Sequence, residues 1–360
     1  MTADEEVARH TARPITSSVQ GLVRPKHVTN FSIPYQDLVI REWKKNDRMA
    51  CVELIGSVLS EYGLEWDPIT ADRDVVEVEQ AYSKGEFWVV EDITTATVVG
   101  TGAFYEVPHR GNGVVEIRKM YLHKSVRGQG LGSFLLCALE QRALQLGYSS
   151  AIVETAHVLK EACALYNCRG YKASTGLETE RCDLVLEKPL LLPESNLSHD
   201  LLEVIDMTRG WTVTYASKEQ VNRNRLLFRA VAVLVETGNK IVVHRRSYKK
   251  ASFPGRMAAL VTGCIDWNED PLTAAKREVL EEVGLSNLDF CVPFAPFVAD
   301  GEGTGYRIQF HPFIASGDFA EDQIVCDPTE VDSAELMTRE QIIEAGIGGS
   351  LWREFRSHGL

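Results

Sequence analysis

The stretch Gly263 to Leu285, GCIDWNEDPLTAAKREVLEEVGL, constrains this chain more than any other. Its middle reads as a helix. Asp270 suits the N-cap and Pro271 the first helical position, while Gly284 is placed to end the helix in a left-handed conformation. Leu272, Ala275, Val279 and Val283 recur at helical spacing and define an inward face. On such a helix Glu278, Glu281 and Glu282 stand at i, i+3 and i+4, so these carboxylates share one side. Like charges this close repel unless a cation lies between them, and oxygen-only ligands suit Mg²⁺ or Mn²⁺. For the charge run alone, a solvated acidic face is the plain alternative.

A second stretch organises the other half of the chain. Arg127-Gly128-Gln129-Gly130-Leu131-Gly132 falls between a predicted strand, Val114 to Leu122, and a predicted helix running to Leu146. A helix N-terminus offers unpaired N–H groups and positive dipole charge to a phosphate. Glycines let the backbone curl close to such a ligand. The spacing is GxGxG rather than GxGxxG, and no Gly-Lys-Ser/Thr follows. Both the dinucleotide fingerprint and the nucleoside-triphosphate P-loop are therefore excluded. A tight turn is the alternative. From Leu38 to Leu186 strands and helices alternate as in one α/β domain, with a short helix expected over Val75–Tyr82.

With 360 residues the chain has room for two cores. A net charge of −13 argues against nucleic-acid partners and against anionic lipid. No apolar run reaches membrane-spanning length. Eight scattered cysteines form no CxxC pair, which fits reduced thiols and a cytoplasmic location. Asp4, Glu5 and Glu6 speak against a presequence, although residues 9–30 contain Arg and Ser without acids and leave organellar targeting open. The expected organisation is a mobile arm over residues 1–35, a first domain over 36–190, a linker over 191–200 and a second domain over 201–360. Oligomeric state, a homodimer included, is left open.

The string from Gly263 resembles the signature box of the Nudix hydrolases at every defined position: Gly263, Glu269, Arg277, Glu278, Val279, Glu281, Glu282, Gly284 and Leu285. The resemblance implies an α/β/α sandwich that hydrolyses a nucleoside-diphosphate-linked or other diphosphate substrate with Mg²⁺ or Mn²⁺. It makes Glu278 and Glu282 the catalytic ligands, with Glu281 and the Gly263 carbonyl beside them. Arg277 would brace Glu269. A further glutamate from outside the box would be Glu302, Glu321 or Glu330, the last reading as structural. Arg245 and Arg246, with Lys249 and Lys250, make a basic island suited to substrate phosphates, or else a solvated strand end.

The order HRRS, KK, PG, box is similar to the Nudix branch that holds the isopentenyl-diphosphate isomerases. Thr262 stands where those enzymes carry a cysteine, and Cys264 falls on the opposite face of an extended segment. Hydrolysis is the favoured reading. Isomerisation and a non-catalytic sensor role are the alternatives.

The glycine loop, with Glu116-Ile117-Arg118-Lys119-Met120-Tyr121-Leu122 before it and Ala164-Leu165-Tyr166 and Gly170-Tyr171 after it, resembles the GCN5-related N-acetyltransferases (GNAT) over roughly Leu38 to Pro189. That resemblance implies a mixed sheet flanked by helices, with acetyl-CoA as cosubstrate and a small amine as acceptor. Met120, Tyr121 and Leu122 would hold the pantetheine, and Arg127, Gly128, Gln129, Gly130, Leu131 and Gly132 the pyrophosphate. Glu116 would be the base and Tyr166 the acid. Glu116 as a substrate-positioning group or an Arg118 partner, and Tyr166 as a packed aromatic, stay open. The whole reads as a two-domain α/β protein and a bifunctional enzyme.

Overall fold

The computed structural model describes residues 31–191, 201–206, 212–250, 253–267, 269–300 and 307–360. Most of the expected arm and linker lies outside them, as does Glu302. The chain divides into two compact units between Leu227 and Phe228.

The first unit begins with β1 (Ser32–Tyr35), β2 (Leu38–Glu42), α1 (Arg48–Glu61), α2 (Arg73–Val76), α3 (Val78–Ala81), β3 (Gly85–Asp92) and β4 (Thr97–Glu106). It continues with β5 (Val114–Leu122), α4 (Leu131–Gln145), β6 (Ser150–Thr155), α5 (Lys160–Cys168), β7 (Lys172–Ala173) and β8 (Leu184–Pro189). These strands form one sheet in the order β1-β2-β3-β4-β5-β6-β8-β7. Among the described residues, the β5–β6 ladder of this sheet is the parallel one and the others are antiparallel. Helix α4 buries Leu131, Phe134, Leu135, Ala138 and Leu139, and α1 buries Cys51, Ile55, Val58 and Leu59. Each set recurs at three- and four-residue spacing, which is one helix face.

Two details differ from the sequence reading. The arm expected through residue 35 stops earlier, because Ser32–Tyr35 pairs with β2 and buries Ile33 and Tyr35 completely. Pro34 obscures that strand in the sequence, yet on an edge strand it removes no needed donor. The single helix expected over Val75–Tyr82 is two short helices that break at Glu77. β9 (Leu201–Ile205), β10 (Thr212–Ser217) and α6 (Lys218–Asn224) precede the division at Leu227, and β9 and β10 pair antiparallel with each other. Gln145 Nε2 donates to the Thr212 carbonyl at 3.1 Å, and the Gln36 amide donates to the Asn224 carbonyl at 2.9 Å.

The second unit contains β11 (Phe228–Thr237), β12 (Lys240–Arg246), β13 (Met257–Ala258), β14 (Val261–Cys264), α7 (Pro271–Val283), β15 (Asp289–Cys291), β16 (Phe297–Asp300), β17 (Arg307–Ser316), β18 (Val331–Thr338), α8 (Arg339–Glu344) and α9 (Ser350–Ser357). β11 pairs parallel with β17 and antiparallel with β14 and β12, so this sheet is mixed too. Successive β11 side chains alternate between two cores. Val231, Val233 and Val235 pack with Ala275, Val279 and Val283 of α7. Ala230, Ala232 and Leu234 pack with Ile342 of α8 and with Trp352 and Phe355 of α9. A strand buried on both faces reads as the continuous apolar run seen here rather than as alternation. Among the described residues no helix is long and apolar enough to cross a membrane.

Candidate active sites

In the first unit the site lies where β5 leaves its neighbours. Thr101 faces Tyr121 across the β4–β5 ladder, but Ala103 faces Arg118, so β5 carries an extra residue between them. Lys119 there takes φ 55°, and its carbonyl accepts from Thr101 Oγ1 at 2.7 Å. A bulge leaves the extra residue out of the ladder. A Cβ at Gly102 would lie 3.0 Å from the Met120 sulfur, Leu135 Cδ2 and Leu139 Cδ1, so a larger residue there would press on these side chains. On the other side, β5 pairs with β6 only through Glu116 and Ile152, and the strands part beyond that point.

The parting opens a cavity of about 70 Å³ lined by Glu116, Met120, Tyr121, Glu154, Tyr166, Arg181 and Cys182, among others. Glu116 is 7 % exposed. Burial raises its carboxyl above the ordinary range, against the Arg118 charge and the Tyr105 hydroxyl. The salt bridge to Arg118 that the sequence leaves open is present but long, at 3.7 Å. Tyr166 is also buried, with its ring 5.6 Å from that of Tyr171. Burial lifts its phenol well above its usual value, so it keeps its proton at neutral pH. Around the cavity Asp72 is wholly buried. It takes two bonds from Arg181, at 2.7 and 2.9 Å, and one from the Lys119 ammonium at 2.6 Å.

The glycine loop folds as the sequence predicts. Gly128 and Gly130 have φ of 75° and 83°, and Gly130 is the N-cap of α4. The first amides of α4 have no intrahelical acceptor. Arg127 does not reach into the loop. It donates to the Leu122 carbonyl at 2.7 Å and forks onto Glu61 at 2.7 and 3.1 Å, which makes it a brace. Tyr35 OH donates to the Gln129 carbonyl at 2.9 Å and fixes the loop from the other side.

In the second unit Asp270 accepts from the Leu272 and Thr273 amides at 3.0 and 3.1 Å and starts α7, and Gly284 ends it at φ 69°. Arg277 grips both oxygens of Glu269 at 2.9 Å, reaches the Cys264 carbonyl at 2.9 Å, and donates to Glu278 at 2.7 Å and Glu281 at 3.3 Å. Glu282 is buried and Glu278 partly buried, whereas the Glu281 side chain is 52 % exposed. Among the described residues no three His, Cys, Asp or Glu side chains converge on a metal position.

Two observations nonetheless fit a divalent cation. Glu282 Oε2 is buried and takes no hydrogen bond from the described residues. Burial first, and then the Glu278 charge, raise Glu282 to about 8, while burial raises Glu278 to about 7. A positive charge between them would lower both. Gly263 presses on the same group: a Cβ there would lie 1.7 Å from Glu278 Cδ. Gly263→Ala should therefore displace the Glu278 carboxylate and cost about 2 kcal/mol of stability, which denaturant melts of wild type and variant would measure.

The basic island is divided. Arg246 lies near enough to Glu282 to lower its pKa, and Lys250 acts the same way while pairing with Glu330. Arg245 instead donates to the Gly255 carbonyl at 3.0 Å. Glu321 accepts from the amide of Leu336 in β18 at 3.1 Å.

Comparison with known proteins agrees with both halves. The family profile described as "NUDIX domain" matches residues 226–351, and "Acetyltransferase (GNAT) family" matches residues 54–171. An uncharacterized N-acetyltransferase of Escherichia coli, YjgM, is 33% identical over 145 residues, covering 39% of this chain and 86% of that protein. An uncharacterized Nudix hydrolase of Yersinia pestis is 31% identical over 145 residues, covering 39% of this chain and 74% of that protein. The chain belongs to both families. The GNAT unit also resembles a solved acetyltransferase from Salmonella typhimurium holding acetyl-CoA, at 20% identity and a TM-score of 0.35, covering 44% of this chain and 99% of that one. The protein is thus a GNAT acetyltransferase domain fused to a Nudix hydrolase domain.

The structure adds residues that sequence reasoning missed. In the GNAT unit these are Tyr105, Asp72, Glu154 and Arg181, which no motif marks. In the Nudix unit it is His244, whose Nε2 lies 3.5 Å from Glu282 Oε2. Burial and the Arg246 charge lower His244 to about 4, so the imidazole is neutral and the contact is not an ion pair. The strand alternation of β12 places His244 and Arg246 on one face, which was the available signal.

Proposed function

We propose that the chain carries two activities: acetyl transfer from acetyl-CoA to a small amine in the GNAT unit, and Mg²⁺-assisted hydrolysis of a nucleoside-diphosphate-linked or other diphosphate substrate in the Nudix unit. One observation carries the reading. Each unit buries a carboxylate at the position that the family resemblance gives to chemistry: Glu116, whose Oε2 accepts from Tyr105, and Glu282, whose Oε2 takes no hydrogen bond from the described residues. Burying such a group costs stability, and a fold keeps it where a proton or a cation is to be received.

In the GNAT unit Glu116 takes a proton from the acceptor ammonium. The freed amine attacks the thioester carbonyl, and backbone amides of Met120–Leu122, just past the Lys119 bulge, face the developing oxyanion. The C–S bond breaks as the C–N bond is completed. The remaining N–H proton is lost to solvent, and the departing thiolate takes a proton from Tyr166. Amides of residues 128 to 132 receive the pyrophosphate. Tyr166→Phe should slow thiol release about 100-fold with little change in the KM for acetyl-CoA, followed by a thiol-reactive dye.

In the Nudix unit the Gly263 carbonyl, Glu278 and Glu282 would hold the cation, with Glu281 at the rim. When bound it supplies charge neutralisation at the phosphates and a more acidic water. Arg246 faces the same carboxylates and is placed to meet a phosphate oxygen, while Arg277 and Glu269 brace the loop that carries Gly263. Thr262 and the intact box favour hydrolysis over isomerisation.

The test is a panel of diphosphates with Mg²⁺ run beside a panel of amines with acetyl-CoA. Cleavage of one and acylation of the other support the reading. Diphosphate binding without cleavage would leave the Nudix unit as a sensor.

A further inference from the structure

We propose that Tyr105 is a positioning residue for Glu116, and that Arg118, anchored by Asp74, acts through it on the same carboxylate. The inference rests on Glu116 being the proton acceptor of the acetyl transfer. Tyr105 and Glu116 stand directly opposite one another across the β4–β5 ladder. The Tyr105 hydroxyl donates to Glu116 Oε2 at 2.9 Å. That hydroxyl in turn accepts from Arg118 Nη1. The Arg118 guanidinium lies 5.1 Å from the centre of the Tyr105 ring and pairs with Asp74 at 3.0 Å. Asp74 is itself held by the Tyr82 hydroxyl at 2.5 Å and by the Lys119 ammonium at 3.2 Å. The result is a buried chain from α2 to the cavity wall, in which every link is a charge or a hydroxyl.

The chain has two physical consequences. First, it fixes the carboxylate. Oε2 is held by Tyr105, while Oε1 takes no hydrogen bond from the described residues and Glu116 lines the cavity. The oxygen left over is the one that can accept a proton. Second, it sets basicity. The groups acting on Glu116 are Tyr105 from β4, Arg118 from β5, Glu154 from β6, Asp74 from α2 and Cys182 from the segment before β8. Glu154 and Asp74 favour the protonated form, as burial does. Tyr105 and Arg118 favour the charged form. A general base works best when its affinity for the proton is high but the site is still ionised at working pH, and opposing influences of this kind produce that balance.

The test uses the full chain with ¹³C-labelled glutamate carboxyls, the Glu116 resonance being identified by its loss in Glu116→Gln. Removing the hydroxyl in Tyr105→Phe should move the Glu116 titration midpoint upward by about one pH unit. The acid limb of kcat/KM for acetylation, read as thiol release with an amine from the panel, should move with it. The thermal midpoint should stay within about 5 °C, so that loss of fold does not explain the shift. Fluorotyrosine at position 105, a more acidic donor that keeps the hydroxyl, should move both readouts the opposite way. It decides alone if the phenylalanine variant does not fold. A Glu116 midpoint that ignores both changes overturns the proposal. If the midpoint moves but the acid limb does not, or if Glu116→Gln acetylates at the wild-type rate, the proton acceptor lies elsewhere and the underlying reading of Glu116 fails instead.

Discussion

Glu282→Gln should reduce diphosphate hydrolysis by at least ~10³-fold, or about 4 kcal/mol of transition-state stabilisation, and yet make the metal-free protein more stable. Both effects follow from one fact: the fold buries a carboxylate that the described residues leave without a hydrogen bond on Oε2. Burial, with the Glu278 charge second, raises the folded-state midpoint from 4.5 to about 8. Between those values the folded protein holds a proton that the unfolded chain has released, so stability falls as pH rises through the window. The full penalty is on the order of 3–5 kcal/mol at the alkaline end. Glutamine has no such proton to lose. Thermal melts in chelator from about pH 5 to pH 8 should therefore slope downward for wild type and less steeply for the variant. Added Mg²⁺ should raise the melting point of wild type only. Equal slopes would remove the burial argument, and retained hydrolysis would remove Glu282 from the metal site.

Asp72→Ala should destabilise the GNAT unit by about 3–5 kcal/mol, since it leaves two cations without their shared partner. Lys119 and Arg181 both bond to this carboxylate, and Lys119 is 5 % exposed. Burial alone would raise Asp72. The hydrogen bond from Arg181 and the charge of Lys119 outweigh it and hold Asp72 at about 2. The stabilisation is therefore present above the unfolded value of 3.8 and is lost as pH falls toward about 2. A melting point lower by roughly 10 °C at neutral pH, with a gap that narrows in acid, is the expected result. The same change should alter acceptor KM, because Arg181 and Lys119 line the cavity. A melting point unchanged from wild type would show that the cations do not depend on Asp72.

Much of the second site was legible because its parts are local. Asp270, Arg277, Glu278, Glu282 and Gly284 sit within a few helical turns, so spacing alone places them. The glycine loop was legible for the same reason. What the sequence could not show was contact across distance. Asp72 meets Arg181 across 109 positions, and Tyr105 meets Glu116 only because a turn sets two strands in register. Arg127 looked like part of a phosphate cradle, yet it is occupied by Glu61, 66 positions away. Arg245 and Arg246 are neighbours in sequence, but strand alternation separates neighbours, so only Arg246 acts on the carboxylates.

The strand Phe228–Thr237 has a consequence for how this family of sequences can drift. From Ala230 to Val235 each side chain is committed to one of two cores, and none of them faces water. A substitution there cannot be absorbed by turning the side chain outward, because both directions are already filled. Only exchanges that conserve volume are tolerated at such positions. Lineages carrying this domain should therefore keep nearly the same small and branched residues along the run. Their differences should accumulate in the exposed turn at Gly238–Lys240, where a change of length or charge disturbs neither layer.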